Sequence, residues 1–151
     1  MYAAHGVGLA AQQIGKALQL CVIDVSQVDD RPSTLEINGE PAEVNAFMPL
    51  TLINPKIKPY GKQVPGPEGC LSFPEIYGDV IRHENVEVTA LNSKGQEFSF
   101  RCGGLLARAV QHEVDHLNGI LFIDRMQKSD RDALRGEIED LQAETRAELE
   151  K

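Results

Sequence analysis

The sequence has few basic residues and no long apolar run, and each absence argues against a class of protein. It contains 15 lysine and arginine residues against 23 acidic residues, for a net charge of -8. Without a basic cluster, a nucleic-acid partner is not expected. No apolar run approaches the roughly 18 residues of a membrane helix, and the N-terminus has no basic segment leading into an apolar one. We therefore expect no membrane partner and a cytoplasmic location.

The sequence also lacks a regular cysteine pattern. Its three cysteines, Cys21, Cys70 and Cys102, are an odd number at irregular spacing. This argues against a disulfide framework and for free thiols in a reducing compartment. One of these thiols is therefore available as a metal ligand. The 151 residues suit one domain, 1–151, with enough interior for a real core.

Several segments have the composition and alternation of β-strands, separated by polar or glycine-rich turns. A stretch dense in proline and glycine, Pro59–Pro67, is expected to be a loop that leads into Glu68–Ser72. The predicted strands are, in chain order, Leu18–Val25, a hairpin at Asn38–Gly39 within the polar stretch 26–49, Leu50–Ile57, and an antiparallel hairpin formed by 86–90 and 97–102.

Two segments have helical patterns. Leu105–Leu117 carries apolar residues at the spacing of a helix that is buried along most of its length. Ser129 and Asp132 resemble a capping box for a C-terminal amphipathic helix over 129–151. The first residues look like the end of a helix followed by a glycine turn. The fold class is α+β, with small antiparallel β-sheets packed around a central helix and a C-terminal amphipathic helix.

The central helix contains a pattern that suits a metal site. His112 and His116 are four residues apart, so they share one helix face and can converge on one metal ion. Glu113 lies beside them, where a carboxylate can take a proton from an attacking water molecule. Two histidines are an incomplete site, so a third ligand must come from elsewhere.

Three routes could supply this third ligand. Metzincin proteases use a histidine three residues beyond the glycine that corresponds to Gly119, but this chain has Phe122 there. Gluzincin proteases use a glutamate on a later helix, and Glu137 or Glu139 lies at a suitable separation, although a solvated charged face explains both residues better. Cys70 would instead complete a site of two imidazoles and a thiolate, with a fourth position open to water.

Three separated segments together resemble a known family. Gly6–Gln13, Glu68–Ser72 and Gln111–Leu117 resemble, in order, the three motifs of the peptide deformylases. Gln12 stands where most members have proline. We expect this chain to lack the family's N-terminal segment. The resemblance extends through the intervening strands and covers most of the chain.

The resemblance implies a hydrolase that removes the formyl group from the N-terminal formylmethionine of new polypeptides and releases formate. Cys70, His112 and His116 would hold one divalent metal ion per chain. The family commonly uses Fe²⁺, and Zn²⁺, Ni²⁺ or Co²⁺ can occupy the same site. The remaining alternatives are a gluzincin-like metalloprotease and a catalytically impaired deformylase-like fragment.

The resemblance also assigns roles to individual residues. Glu113 would transfer the proton of water to the departing amine. The side-chain amide of Gln13 and the backbone N–H of Leu71 would donate to the oxyanion. An ion pair among Glu68, Arg82 and Asp115 would steady the cysteine segment, Glu68–Ser72, against the helix. The alternative is a surface pair of little energetic consequence. The positions expected to bind the substrate backbone are Val7, Gly8 and Gly69.

The expected partners are N-formylmethionyl peptides and nascent chains, in a bacterial or organellar translation compartment close to the ribosome. Some deformylases approach the ribosome through a basic C-terminal helix. Residues 129–151 carry eight acidic and four basic side chains here, so they do not form a basic docking helix.

Overall fold

The computed structural model describes residues 1–70 and 73–151, and its described strands form one antiparallel sheet. The sheet has seven strands in the order β1-β2-β5-β6-β7-β3-β4. The strands are β1 Gly8–Ala10, β2 Leu20–Ile23, β3 Ser33–Ile37, β4 Glu40–Pro41, β5 Leu50–Cys70, β6 Phe73–Leu91 and β7 Glu97–Gly104. The α-helices are α1 Leu105–Leu117, α2 Lys128–Ala133 and α3 Arg135–Leu149, and short 3-10 helices span Tyr2–Ala4, Ala11–Ile14, Val44–Phe47 and Phe122–Arg125.

The predicted α+β class is confirmed, and the strands join into one sheet instead of several small ones. The hairpin predicted at Asn38–Gly39 is also confirmed, since these two residues connect β3 to β4 with φ angles of 54° and 79°. Both angles lie in the left-handed region that asparagine and glycine tolerate best in two-residue turns. Leu71 and Ser72, both predicted to belong to the cysteine segment, lie outside the described residues.

The loop predicted for Pro59–Pro67 is wrong, because these residues continue β5. Pro59 pairs with Val86 and Pro65 with Ile81 in a long hairpin with β6. On its other side β5 pairs with β2 only over Leu50–Ile53. Beyond that point, one side of β5 has no ladder partner among the described strands. A proline whose nitrogen faces such a side removes no ladder hydrogen bond.

Helix α1 lies in the centre of the fold and has the predicted bounds, Leu105–Leu117. All 13 of its residues are buried. Its apolar side chains join a core with β2, β5, β6 and β7. Buried polar groups are costly unless they are paired, so the polar side chains of α1 mark the part of the fold to inspect for function. These are Arg108, Gln111, His112, Glu113, Asp115 and His116.

The C-terminal region packs as an amphipathic cover. The predicted capping box at Ser129 is wrong, because α2 begins at Lys128 and its N-cap, Gln127, makes no side-chain cap hydrogen bond. The predicted helix over 129–151 corresponds to α2 and α3, which meet at Leu134. Leu134, Ile138 and Leu141 pack on a small apolar cluster formed by Ile76, Val80, Phe122, Ile123 and Met126. In the described residues, no helix combines the length and apolar character needed to cross a membrane.

Candidate active site

Two histidines of α1 and one cysteine of β5 converge at one point. The Nε2 atoms of His112 and His116 are 3.2 Å apart, because the two residues are one helical turn apart. Cys70 is the last residue of β5, and its Sγ lies 3.1 Å from Nε2 of His116. The three ligand atoms lie within 4.8 Å of one another. Lone-pair donors pack this closely only around a shared proton or cation, and two imidazoles with a thiolate suit a divalent transition metal.

Glu68 fixes the orientation of the His112 ring. Its Oε1 lies 2.8 Å from Nδ1 of His112, which leaves Nε2 on the side of His116. A carboxylate on the outer nitrogen is the usual arrangement for a metal-binding histidine, because it selects the tautomer and orients the ring. Burial alone would lower the pKa of His112, but hydrogen bonds with Cys70 and Glu68 raise it to about 9.

Glu113 is a buried carboxyl group with an oxygen atom that has no hydrogen-bond partner among the described residues. Its side chain is 4% exposed, and Oε2 has no hydrogen-bond partner among the described residues. Burial raises its pKa to about 7, although the charges of His112 and His116 oppose that shift. The absence of a side chain at Gly8 leaves space for the Glu113 side chain, since a Cβ at Gly8 would lie 2.5 Å from Oε1 of Glu113. A carboxyl group with a pKa near neutral can both accept and return a proton.

Gln13 lies beside Cys70, and a hydrogen bond fixes the orientation of its side-chain amide. Its Oε1 accepts a hydrogen bond of 2.8 Å from the backbone N–H of Ala10. Its Nε2 then faces Cys70, at 3.6 Å from Sγ. The other residue expected to donate to an oxyanion, Leu71, lies outside the described residues.

These groups border one open cavity of about 520 Å³, which is in the size range of small-ligand pockets. Val7 and Gly8 line it from the segment of β1, and Gly69 lines it from β5. The ring of Tyr77 lies over Gly69, where a Cβ would come within 2.5 Å of the ring. Among the side chains at its wall are four of the predicted site residues, Gln13, Cys70, His112 and Glu113.

The ion pair expected among Glu68, Arg82 and Asp115 is buried rather than superficial. Arg82 donates to Glu68 through Nε at 2.7 Å and Nη2 at 2.9 Å, and to Asp115 through Nη1 at 2.7 Å. The side chains of Arg82, Glu68 and Asp115 are 4%, 5% and 11% exposed, respectively. Burial alone would raise the pKa of Glu68, but hydrogen bonds with His112 and Arg82 lower it to about 2.

Sequence reasoning missed Arg108, Arg125 and Tyr77. Arg108 donates to Glu68 at 2.8 Å, and Arg125 donates to both oxygens of Asp115. A signal for Arg108 existed, since it lies four residues before His112 in a helix predicted to be buried, and a buried cation needs an anion nearby. No pattern in the sequence indicated Tyr77, because its contact with Gly69 depends on the pairing of β5 with β6.

The other candidate ligands lie elsewhere. Cys21 and Cys102 are buried in the apolar core, as expected of packed thiols, and burial raises the pKa of each to about 12. Glu137 and Glu139 are exposed on α3, and Glu139 pairs with Arg135 at 3.3 Å. The gluzincin arrangement therefore has no support in the described residues.

Comparison with known proteins decides the family. The sequence model of the polypeptide deformylases matches residues 1–132. The chain belongs to the polypeptide deformylase family. Peptide deformylase of Opitutus terrae is 45% identical over 149 residues, which are 97% of this chain and 77% of that protein. Peptide deformylase 1B of Arabidopsis thaliana, chloroplastic/mitochondrial, is 43% identical over 143 residues, which are 94% of this chain and 47% of that protein.

A solved structure of a deformylase shares the fold. The crystal structure of Arabidopsis thaliana peptide deformylase 1B in complex with an inhibitor superposes with a TM-score of 0.80 at 40% identity. The match covers 97% of this chain and 74% of that one. The sheet and helices described above are therefore those of the deformylase family.

Proposed function

We propose that this chain removes the N-formyl group from the formylmethionine of newly made polypeptides and releases formate, with the cavity beside α1 as its active site. Membership in the deformylase family supports the assignment of this reaction. Cys70 and His112 line that cavity, and the ligand atom of His116 lies within 4.8 Å of theirs, which supports the location.

Cys70, His112 and His116 would hold one divalent metal ion. When bound, such an ion supplies Lewis-acid chemistry and lowers the pKa of water for attack on the formyl carbon. We infer Fe²⁺ as the native ion from the resemblance to the family. Zn²⁺, Ni²⁺ and Co²⁺ also suit two imidazoles and a thiolate, and this donor set does not select among them.

Glu113 would move the proton. Its Oε2 is buried without a partner among the described residues, so it has an acceptor position free for a water molecule. Burial raises its pKa to about 7, so the carboxyl group gains and loses a proton near neutral pH. Glu113 would accept the proton of the attacking water and return it to the amine that departs with the methionyl peptide.

Gln13 and Leu71 would donate to the oxyanion that forms on the formyl group. The Oε1 atom of Gln13 is held by the N–H of Ala10, which points its Nε2 donor towards Cys70. Leu71 follows Cys70 directly, and its backbone N–H is assigned this role from the family resemblance. Two oriented donors stabilise the negative charge without needing to reorganise during the reaction.

The substrate backbone would extend between β1 and β5. β1 is an edge strand, so the segment of Val7 and Gly8 can pair with an added peptide strand. Gly69 lines the cavity from β5. A peptide between the two would present its formyl end to Gln13 and Glu113. Glu68, Arg82 and Asp115 would act indirectly, by holding β5, β6 and α1 together.

The proposed partners are nascent chains that begin with formylmethionine, in a bacterial or organellar translation compartment. Relatives in both settings support this placement. Because nascent chains emerge from the ribosome, we expect the protein to act close to it. The acidic excess of residues 129–151 argues against docking through a basic helix, and we propose no direct nucleic-acid contact.

Formate release from formyl-Met-Ala-Ser by anaerobically prepared, Fe²⁺-loaded protein tests the reaction. Removing a general base costs about 10²- to 10⁴-fold in rate, so Glu113→Gln should lose activity on that scale while keeping its metal. Glu139→Gln, at an exposed position on α3, is the matched control and should keep wild-type activity. No formate from intact, metal-loaded wild type would overturn the proposal and favour an impaired relative.

Cys70→Ser separates the deformylase site from a gluzincin-like one. It should sharply weaken metal binding, because it removes the thiolate ligand. A site completed by Glu137 or Glu139 would keep its metal in this variant. Metal retention by Cys70→Ser, together with its loss in Glu137→Gln or Glu139→Gln, would contradict the assignment.

A further inference from the structure

Five side chains of alternating charge connect the wall of the cavity to the surface. Arg108 donates to Glu68, Glu68 accepts from Arg82, Arg82 donates to Asp115, and Asp115 accepts from Arg125. The first four side chains are at most 11% exposed, whereas Arg125 is 47% exposed. We call these five residues the charge series. Arg108 is its inner end, and Arg125 is its outer end.

Arg108 ties α1 to both strands of the β5–β6 hairpin. Its Nη1 donates to Oε2 of Glu68 at 2.8 Å and to the carbonyl oxygen of Val80 on β6 at 2.8 Å. Its Nη2 donates to the carbonyl oxygen of Val64 on β5 at 2.9 Å. Gly66 leaves room for the guanidinium group, since a Cβ there would lie 2.9 Å from it. The guanidinium group thus hydrogen-bonds to both strands of the hairpin and does more than pack against its surface.

Helix α1 therefore holds the Glu68 carboxylate at two points that are one turn apart. Arg108 holds Oε2 at 2.8 Å, and His112 lies 2.8 Å from Oε1. Arg82 holds both oxygens from the hairpin side. Without Arg108, the His112 ring would be the only hydrogen-bond contact of Glu68 with α1 among the described residues. Any shift of the carboxylate towards Arg82 would then turn that ring.

We propose that Arg108 is a positioning residue: by fixing the Glu68 carboxylate, it sets the orientation of the His112 ring and so the affinity of the site for its metal. The inference rests on the proposed function, because it takes His112 as a ligand. Glu68 and Arg82 act on the same ring from the hairpin. Arg108 acts from the same helix as His112, and it adds the constraint that keeps the ring in place.

Co²⁺ binding to the metal-free protein tests the proposal, followed by the thiolate-to-cobalt absorption band. Loss of an outer contact to a metal-binding histidine costs about 10- to 100-fold in metal affinity, so Arg108→Met should raise the Co²⁺ Kd by that factor. Arg108→Lys keeps the charge but loses the planar fork, and we expect an intermediate Kd. Wild-type affinity in whichever of these variants folds would overturn the proposal.

Arg125→Gln is the matched control at the other end of the charge series. It removes an arginine that contacts Asp115 and leaves every contact of Glu68 in place. Because the Arg125 side chain is 47% exposed and Asp115 keeps its bond with Arg82, we expect a small loss of stability and an unchanged Co²⁺ Kd. An equal rise in Kd for Arg125→Gln and Arg108→Met would show a general effect of the series and would contradict a specific role for Arg108.

A double variant separates positioning from simple support of the fold. If Arg108 acts through Glu68, Arg108→Met should add little to the rise in Kd that Glu68→Gln already causes. Fully additive effects on the Kd would overturn the proposed route. So would a lowered thermal stability of the metal-free Arg108→Met protein with an unchanged Kd. Failure of the wild type to bind Co²⁺ or to release formate would instead overturn the proposed function, before any variant is measured.

Discussion

The close approach of Gly8 to Glu113 makes Gly8→Ala a sharp test of the active site. A Cβ at Gly8 would lie 2.5 Å from Oε1 of Glu113 and 2.8 Å from its Cγ and Cδ. Non-bonded heavy atoms pack at about 3.5 Å, so the carboxylate or β1 must move by about 1 Å. A displacement of that size at a reacting group costs about 100-fold in rate. Overpacking costs about 1–3 kcal/mol of stability.

We therefore expect Gly8→Ala to lower kcat/KM for formyl-Met-Ala-Ser by about 100-fold, with its Co²⁺ Kd unchanged. Gly136→Ala is the control, because a Cβ at this position in α3 meets no other atom within 4 Å. It should keep full activity and gain up to about 1 kcal/mol of helix stability. Adding Glu113→Asp to Gly8→Ala should restore stability without activity, since the shorter side chain relieves the clash. Wild-type kcat/KM in a folded Gly8→Ala protein would refute the assignment of Glu113.

The other predictions concern thiols, metal and pH. A thiol reagent at pH 8 should modify Cys70 in the folded, metal-free protein. It should react with Cys21 and Cys102 only after unfolding, because burial raises the pKa of each of these thiols to about 12. Fast modification of all three thiols in the folded protein would contradict this prediction. Free metal at a hundred times its Kd should add about 2.7 kcal/mol to the free energy of unfolding, and a chelator should abolish the gain. Burial tends to raise the pKa of Asp24, but hydrogen bonds, including one from Tyr2 at 2.6 Å, hold it below its usual value. The resulting stability is present above the unfolded pKa of about 4 and is lost as the pH falls through the folded pKa. The difference in the free energy of unfolding between wild type and Tyr2→Phe, measured in urea, should therefore shrink as the pH falls below about 4. A difference that stays constant with pH would contradict this role of the Tyr2 hydrogen bond.

Local patterns were sufficient to predict the central helix and the short hairpin. The bounds of α1 follow from the spacing of its apolar residues, and the turn at Asn38–Gly39 follows from the backbone freedom of those two residues. The long β5–β6 hairpin was not predictable in the same way. Prolines and glycines between Pro59 and Pro67 indicated a loop, and only the pairing partner on β6 makes them a strand.

The site was predictable where its residues are close in sequence. The pair of His112 and His116 follows from helical spacing alone. Cys70 lies 46 residues away from His116, so no spacing rule connects them. Cys70 was a candidate because the two histidines lacked a third ligand, and the family resemblance then assigned it to the site. The contacts of Arg108 with the hairpin could not be predicted, because they depend on the register of β5 against β6.

The buried polar residues of α1 connect the helix to the β5–β6 hairpin. Five of the six have a partner on the hairpin: Arg108 and His112 pair with Glu68, Asp115 with Arg82, Gln111 with the carbonyl oxygen of His83, and His116 with Cys70. These bonds offset the cost of burying polar groups in the core. Glu113 is the exception, because its Oε2 has no partner among the described residues. The fold thus satisfies the groups that hold the site and leaves incompletely satisfied the carboxylate that we propose to exchange a proton with the substrate.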